Sequence, residues 1–306
     1  MKGCIQCAGH KDYKILTFSW FLTQVCQYRC DYCSVLNTLP LVKSADNRYI
    51  KSYKSVLSLL RYPTLDNFKI ELQGGEPTMH PEIFSIIESL NSNRRCIFLE
   101  VITNLVKPLT FYDKFDSKKY NKLLFTTSYH PQYHEKCSYV EKIVHLSKYD
   151  HIKVEPNINI SDKKEYWEDT IDVFEKLIDN NITYGVNFLF KVDHYDPTYT
   201  DEVHTTFKKY IDMSFNRDSE GNDIPYVYEN TQEKYNTYFI HNNNLDKFYG
   251  YKCTPKYWVI NFDGTVTNSC TGEPFDINRK TFKDEIRCPV KTGCGEVEKL
   301  LYYKYK

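Results

Sequence analysis

From about residue 15 to 190 the chain alternates short runs of β-branched and aromatic residues with longer stretches at helical spacing. That alternation is the pattern of βα units, because parallel strands can be joined only by a crossover and a helix is the usual one. It predicts strands over 16–21, 68–73, 96–103, 122–128, 152–160 and 183–190. Helices are predicted over 49–61, 81–91, 138–148 and 163–180. In the last of these Trp167, Ile171, Phe174 and Ile178 fall close to helical spacing, with Ser161 and Asp162 as N-cap candidates. A further helix over 113–120 completes six strand–helix units, too few for a closed eight-unit barrel. In folds of this kind chemistry collects at the carboxyl ends of the strands, and that is where motifs carry most weight.

Past residue 190 the pattern breaks. Residues 191–249 are polar and irregular, with Asp196-Pro197, Glu220-Gly221-Asn222 and the run Asn242-Asn243-Asn244, and they read as a bridge holding one helix over 201–215. From residue 250 a small separate unit follows, in which Asp263-Gly264 between 258–262 and 265–268 predicts a hairpin with a two-residue turn. The expected division is an N-terminal segment over 1–14, a barrel over 15–190, the bridge, and a cysteine-rich unit over 250–306.

Charge and thiol content narrow the partners. Forty Lys and Arg balance forty Asp and Glu, so no net basic field exists to hold a polyphosphate, and nucleic acid is disfavoured. Met1-Lys2-Gly3-Cys4 lacks an apolar signal region, and the most apolar stretch, Ile15 to Val25, is broken by Thr17, Ser19, Thr23 and Gln24. Neither export nor a membrane span is expected, and a cytoplasmic location follows. Eleven cysteines, an odd count in an unexported chain, make a poor disulfide framework and a good supply of thiolate ligands.

The strongest motif is Cys26-Gln27-Tyr28-Arg29-Cys30-Asp31-Tyr32-Cys33, just after the first predicted strand. Three thiols in CxxxCxxC spacing can take three corners of a cubane cluster and leave one iron without a protein ligand. A structural zinc site is the alternative, but such sites are four-coordinate and usually take their ligands in pairs. After the second strand comes Glu71-Leu72-Gln73-Gly74-Gly75-Glu76-Pro77, where paired glycines permit close backbone approach and a strand-end carboxylate can accept from an ammonium.

With these two motifs the sequence resembles the radical S-adenosylmethionine superfamily, whose hallmark is CxxxCxxC with an aromatic residue before the third cysteine, here Tyr32. The resemblance covers residues 15–190 and implies an α/β fold, a partial (β/α)6 TIM-like barrel. It implies that Cys26, Cys30 and Cys33 hold a 4Fe-4S cluster, that Tyr32 lies near the adenine of S-adenosylmethionine, and that Gly74, Gly75 and Glu76 hold its methionine end. Thr103-Asn104 and Ser128-Tyr129-His130 end the third and fourth strands, where family members contact cosubstrate or substrate, and Ser128 is the expected ribose contact. Such strand-end residues equally serve as caps or turn formers. Glu155, Asn157 and Asn159 on the fifth strand are similar cases.

The C-terminal unit contains Cys253, Cys270, Cys288 and Cys294, enough for a complete S4 site holding zinc or a second cluster. It resembles the twitch domain, the shortened SPASM domain that carries an auxiliary 4Fe-4S cluster, although a SPASM domain would supply more cysteines and Gly264 to Cys270 is about one residue too long. Cys4 and Cys7 read as incidental thiols, Cys96 as a small buried hydrophobe, and Cys137 as core or a thiol on the substrate side.

The resemblance implies reductive cleavage of S-adenosylmethionine to a 5′-deoxyadenosyl radical that takes hydrogen from a substrate C–H bond, with flavodoxin or ferredoxin as the one-electron reductant. A small polar metabolite is the expected substrate. Peptide modification is the first alternative, set back because the barrel begins too early in the sequence to leave room for a leader-binding domain. Modification of tRNA or nucleotides, and a non-catalytic zinc or iron-sulfur protein, are the others.

Overall fold

The structure is a computed structural model. It describes residues 15–30, 32–33, 47–62, 65, 67–116, 118–148, 152–161, 163–189, 197–213 and 257–268, and elsewhere only 5–7, 226–228, 249, 252–253, 272, 274, 286–287 and 304–305. Six parallel strands lead: β1 (Leu16–Thr23), β2 (Phe68–Gly74), β3 (Cys96–Thr103), β4 (Leu123–Tyr129), β5 (Val154–Ile160) and β6 (Gly185–Phe188). Each pairs in parallel with the next in chain order. Every crossover therefore advances one strand in the same direction, as in a (β/α) barrel; a doubly wound sheet would reverse direction midway. Five helices follow in turn: α1 (Asn47–Leu60), α2 (Ile83–Ser92), the single turn α3 (Leu109–Tyr112), α4 (Lys136–Ser147) and α5 (Trp167–Asp179).

Alternation along the strands decides what faces what. Phe18, Trp20, Phe68, Ile70, Leu72, Leu99, Val101, Phe125 and Ile158 are buried, in one cluster with Ile83, Ile86, Ile87 and Leu90 of α2 and Ile143 and Leu146 of α4. The intervening positions Thr17, Ser19, Lys69, Glu71, Thr126 and Asn159 are also buried, so the inner face of the sheet is polar. Their groups pair across strands: Gln73 donates to the Ser19 hydroxyl, and Thr126 Oγ1 donates to Glu100 Oε1 at 2.6 Å.

Four expectations change. The helix predicted over 113–120 is the one turn Leu109–Tyr112; beyond it Tyr120 N bonds to Asp116 O at 2.7 Å, and Phe115 lies 5.2 Å from Phe125 and 5.4 Å from Tyr120. Ser161 does not cap α5: its hydroxyl accepts from Lys163 N at 3.2 Å, and a 3-10 turn over Lys164–Tyr166 leads into Trp167. The buried stripe of α5 is Trp167, Thr170, Val173, Phe174 and Leu177, one position round from the predicted stripe. The bridge helix, α6 (Pro197–Met213), begins four residues before the expected 201 and packs on α5, with Tyr210 stacked on Phe174 at 4.8 Å.

The largest difference lies in the hairpin. Its strands, β7 (Tyr257–Ile260) and β8 (Val266–Asn268), pair antiparallel, but β7 also pairs in parallel with β1, Trp258 opposite Phe18. The hairpin expected in a separate unit is thus hydrogen-bonded into the barrel sheet, whose order is β8-β7-β1-β2-β3-β4-β5-β6. Tyr257 fixes the join by donating its hydroxyl to Glu71 Oε2 at 2.7 Å, in a buried site. The turn is also longer than expected. Asn261 N bonds to Thr265 O at 2.8 Å and Gly264 carries φ +86°, a three-residue connection with glycine in the left-handed region.

Elsewhere, 5–7 pairs antiparallel with 226–228, and 252–253 with 286–287 and 304–305. Among the described residues no helix is long and apolar enough to cross a membrane.

Candidate functional site

The carboxyl ends of β1 to β4 meet at one mouth, and the glycine pair explains how. Gly74 has φ +132°, and a Cβ there would lie 2.4 Å from Thr23 O. A Cβ on Gly75 would lie 2.4 Å from Val25 O. Without side chains, the end of β2 lies flat on the residues leading into Cys26, with Gly75 N bonded to Thr23 O at 2.7 Å and Glu76 N to Val25 O at 2.8 Å. The glycines therefore first set the start of the cysteine loop.

Glu76 is 1% exposed. Its Oε1 accepts from Thr78 N at 3.0 Å, from the Thr78 hydroxyl, and from Thr103 Oγ1 at 2.7 Å; Oε2 accepts from Asn104 N at 2.8 Å. Burial pushes this carboxyl above its ordinary value while the four donors pull it back. Three of these donors fall on Oε1 and one on Oε2, so the side chain ties the end of β2 to the end of β3 while Oε2 keeps capacity for a further donor. Thr103 is also held within the chain, its hydroxyl accepting from Leu105 N at 3.1 Å.

On the loop, Cys30 is buried and Cys26 and Cys33 are partly buried, all three as free thiols. Tyr28 N points at Cys26 Sγ at 3.4 Å, and Cys33 N bonds to Cys30 O at 3.1 Å. Burial, against the pull of a hydrogen bond from Tyr32 and with smaller contributions from Cys33 and Cys26, pushes the Cys30 thiol up to about 12. Cys26 is raised by burial and, less, by Glu76 and Cys33. Thiols raised in this way, Cys26 and Cys30, become thiolates when a cation takes the charge. Among the described residues no three His, Cys, Asp or Glu converge to hold a single metal ion. A cubane asks for something else, one thiolate on each of three irons, and this donor set fits it.

His130, the last residue of the Ser128-Tyr129-His130 segment, and His134, which the sequence did not single out, close the mouth. His130 Nδ1 lies 2.9 Å from the Tyr32 hydroxyl and 3.7 Å from Cys30 Sγ, and the rings of His130 and Tyr32 are parallel within 4°. His134 Nδ1 accepts from His130 N at 2.8 Å, and its Nε2 donates to Asn104 O at 2.7 Å. Burial pulls His130 down to about 3 and His134 to about 4, so both rings are neutral. Tyr28 stacks on Tyr133 at 4.6 Å, and Tyr133 Oη accepts from Arg29 N at 3.1 Å. A lone histidine has no spacing signal; the only clue was two of them beside Pro131 at a strand end.

Ser128 is partly buried at the end of β4, opposite Asn157 of β5 in register. The Asn157 Oδ1 is buried without a partner among the described residues and overlies Gly185, whose Cβ would sit 2.8 Å from it. Asn159 accepts from Asn187 Nδ2 at 3.3 Å. Cys96 is buried as expected, its thiol directed at Phe98 O. Cys137, read as core or a thiol on the substrate side, is exposed on α4 beside Lys176 Nζ at 3.3 Å. Cys270, Cys288, Cys294 and Cys4 lie outside the described residues, and only the backbone strands of Cys253 and Cys7 are described.

No family model matches the chain, and no curated protein matches it. Solved structures do. Native anSMEcpe with bound AdoMet superposes with a TM-score of 0.51 at 18% identity, over 83% of this chain and 74% of that one. A histidine-tagged form of anSMEcpe, also with bound AdoMet, gives 0.50 at 19% over the same shares. That protein is an anaerobic sulfatase-maturating enzyme of the radical S-adenosylmethionine class. The chain shares the fold of that protein. Its cysteine loop and glycine pair stand at the carboxyl ends of the first two strands of that fold.

Proposed function

We propose that the chain is a radical S-adenosylmethionine enzyme in which Cys26, Cys30 and Cys33 bind a 4Fe-4S cluster, leaving one iron for the cosubstrate. The observation that carries this is three free thiols, buried or partly buried, on the loop after β1, seated by the glycine pair that ends β2. When bound, the reduced cluster supplies the electron that cleaves S-adenosylmethionine to methionine and a 5′-deoxyadenosyl radical, which takes hydrogen from a substrate C–H bond. The chain's own residues position and exclude water. Glu76, through Thr78, Thr103 and Asn104, holds the ends of β2 and β3 together beneath the loop. Gly74, Gly75, Glu76, Tyr32, Thr103, Asn104 and Ser128 are the proposed contacts to the cosubstrate.

A small polar metabolite is the proposed substrate class, since the inner face of the sheet is lined by polar side chains and the buried Asn157 Oδ1 has no partner among the described residues. Flavodoxin or ferredoxin is the proposed electron donor, and Cys253, Cys270, Cys288 and Cys294 are the proposed ligands of a second 4Fe-4S cluster. Anaerobic reconstitution tests both metal assignments. About eight irons per chain are expected, falling to about four when Cys253 and Cys270 are replaced by Ala. Iron still near about eight per chain after replacement of Cys26, Cys30 and Cys33 rules out the catalytic site, and iron unchanged in the Cys253 and Cys270 variant rules out the second.

A further inference from the structure

We propose that Asn104 and His130 donate hydrogen bonds to the sulfurs of Cys26 and Cys30, that His134 holds both in place, and that this belt sets how readily the cluster accepts an electron. The inference rests on the cluster assignment above and concerns residues beyond its ligands.

The Asn104 side chain has one orientation open to it. Its Oδ1 accepts from Val106 N at 3.2 Å, which turns Nδ2 toward Cys26 Sγ at 3.8 Å. Its backbone is gripped on both sides, with N bonded to Glu76 Oε2 at 2.8 Å and O accepting from His134 Nε2 at 2.7 Å. The same His134 takes the backbone N–H of His130 on Nδ1 at 2.8 Å. His130 in turn places Nδ1 at 3.7 Å from Cys30 Sγ and 2.9 Å from the Tyr32 hydroxyl. A hydroxyl can donate or accept, but a thiolate only accepts, so with the thiolate formed Nδ1 carries the proton and faces the sulfur. The result is a closed belt from Cys26 through Asn104, His134 and His130 to Cys30, joining the ends of β3 and β4 to the loop. Hydrogen bonds to ligand sulfurs favour the more negative, reduced cluster, and such bonds are among the levers that set cluster potentials.

Asn104→Ser is the informative change. The Ser hydroxyl still accepts from the backbone N–H two residues on, but it is too short to reach the sulfur, and no charge is introduced. The holoprotein, reconstituted and titrated without S-adenosylmethionine, is followed on the paramagnetic signal that Cys30→Ala abolishes. At a fixed applied potential the reduced-to-oxidised ratio should fall about tenfold, which is about 59 mV for a one-electron couple. His134→Phe, which touches no sulfur, should shift the potential in the same direction. If Asn104→Ser loses its iron, the His134→Phe potential decides. Wild-type potentials in iron-replete variants overturn the belt while leaving the enzyme assignment intact. A wild-type protein that binds no cluster overturns the assignment itself.

Discussion

Gly75→Ala puts the seating of the cysteine loop to a quantitative test. The new Cβ would stand 2.4 Å from Val25 O, 2.7 Å from Val25 C and 2.9 Å from Gln24 C, whereas ordinary contact begins near 3.4 Å. All three atoms are backbone, so no side chain can swing away. The segment leading to Cys26 must move by about 1 Å, the shortfall at Val25 O. Overpacking of that kind costs about 1–3 kcal/mol. The bond from Glu76 N to Val25 O, 2.8 Å long, is strained with it and adds about 0.5–1.5 kcal/mol. A melting temperature lowered by roughly 4–10 °C follows. Because the displaced residues run straight into Cys26, iron bound at the catalytic site should fall as well. Gly272→Ala is the control: it has φ +70° but nothing within 4 Å of the new Cβ, so it should cost about 1 kcal/mol in backbone strain and leave iron unchanged. Differential scanning calorimetry of the apoprotein and iron analysis after reconstitution measure the two effects. A Gly75→Ala protein with wild-type melting and full iron refutes the seating argument.

Other consequences are as direct. Glu76→Ala leaves the N–H groups of Thr78 and Asn104 buried without their acceptor and should cost about 2–6 kcal/mol in urea unfolding; a loss under about 1 kcal/mol contradicts the tie. Tyr257→Phe removes the buried bond to Glu71 and should destabilise by about 1.5–3 kcal/mol with faster amide exchange in β7; unchanged exchange means the hairpin does not depend on this join. His134 is held neutral by burial, its pKa lowered from 6.5 to about 4. Between those values the unfolded chain binds a proton that the folded chain refuses, so this ring lowers apoprotein stability as pH drops through that window by at most ~1.4 kcal/mol per pH unit, and His130, lowered to about 3, adds a like share. His134→Gln should flatten the slope of urea midpoint against pH, and an unaltered slope locates the titration elsewhere.

The sequence displayed the strands, the cysteine loop and the glycine pair because each is local: a run of β-branched residues, a thiol spacing, two adjacent glycines at a strand end. Cys96–Thr103 appears as predicted, and the other strands of the barrel shift only at their ends. What escaped notice was long-range or contextual. Nothing near Tyr257 signals that β7 will lie parallel to β1, with Tyr257 opposite Thr17, because parallel pairing leaves no mark on either segment alone. Asp263-Gly264 looked like a two-residue turn. Asp263 Oδ1 instead accepts from Thr265 N at 2.9 Å, drawing one more residue into the connection. Glu76 was chemically legible as a strand-end carboxylate, but its occupation by Thr78, Thr103 and Asn104 depended on β3 arriving beside it. His130 and His134 became site residues only once the β4 end was folded against the loop.

The measurement nearest the central claim is anaerobic turnover. Wild-type protein with its cluster filled, given a strong one-electron reductant and S-adenosylmethionine, should release methionine and 5′-deoxyadenosine, and Cys30→Ala should release neither. A protein with a filled cluster that yields no 5′-deoxyadenosine, or a Cys30→Ala variant that yields as much as wild type, contradicts the account.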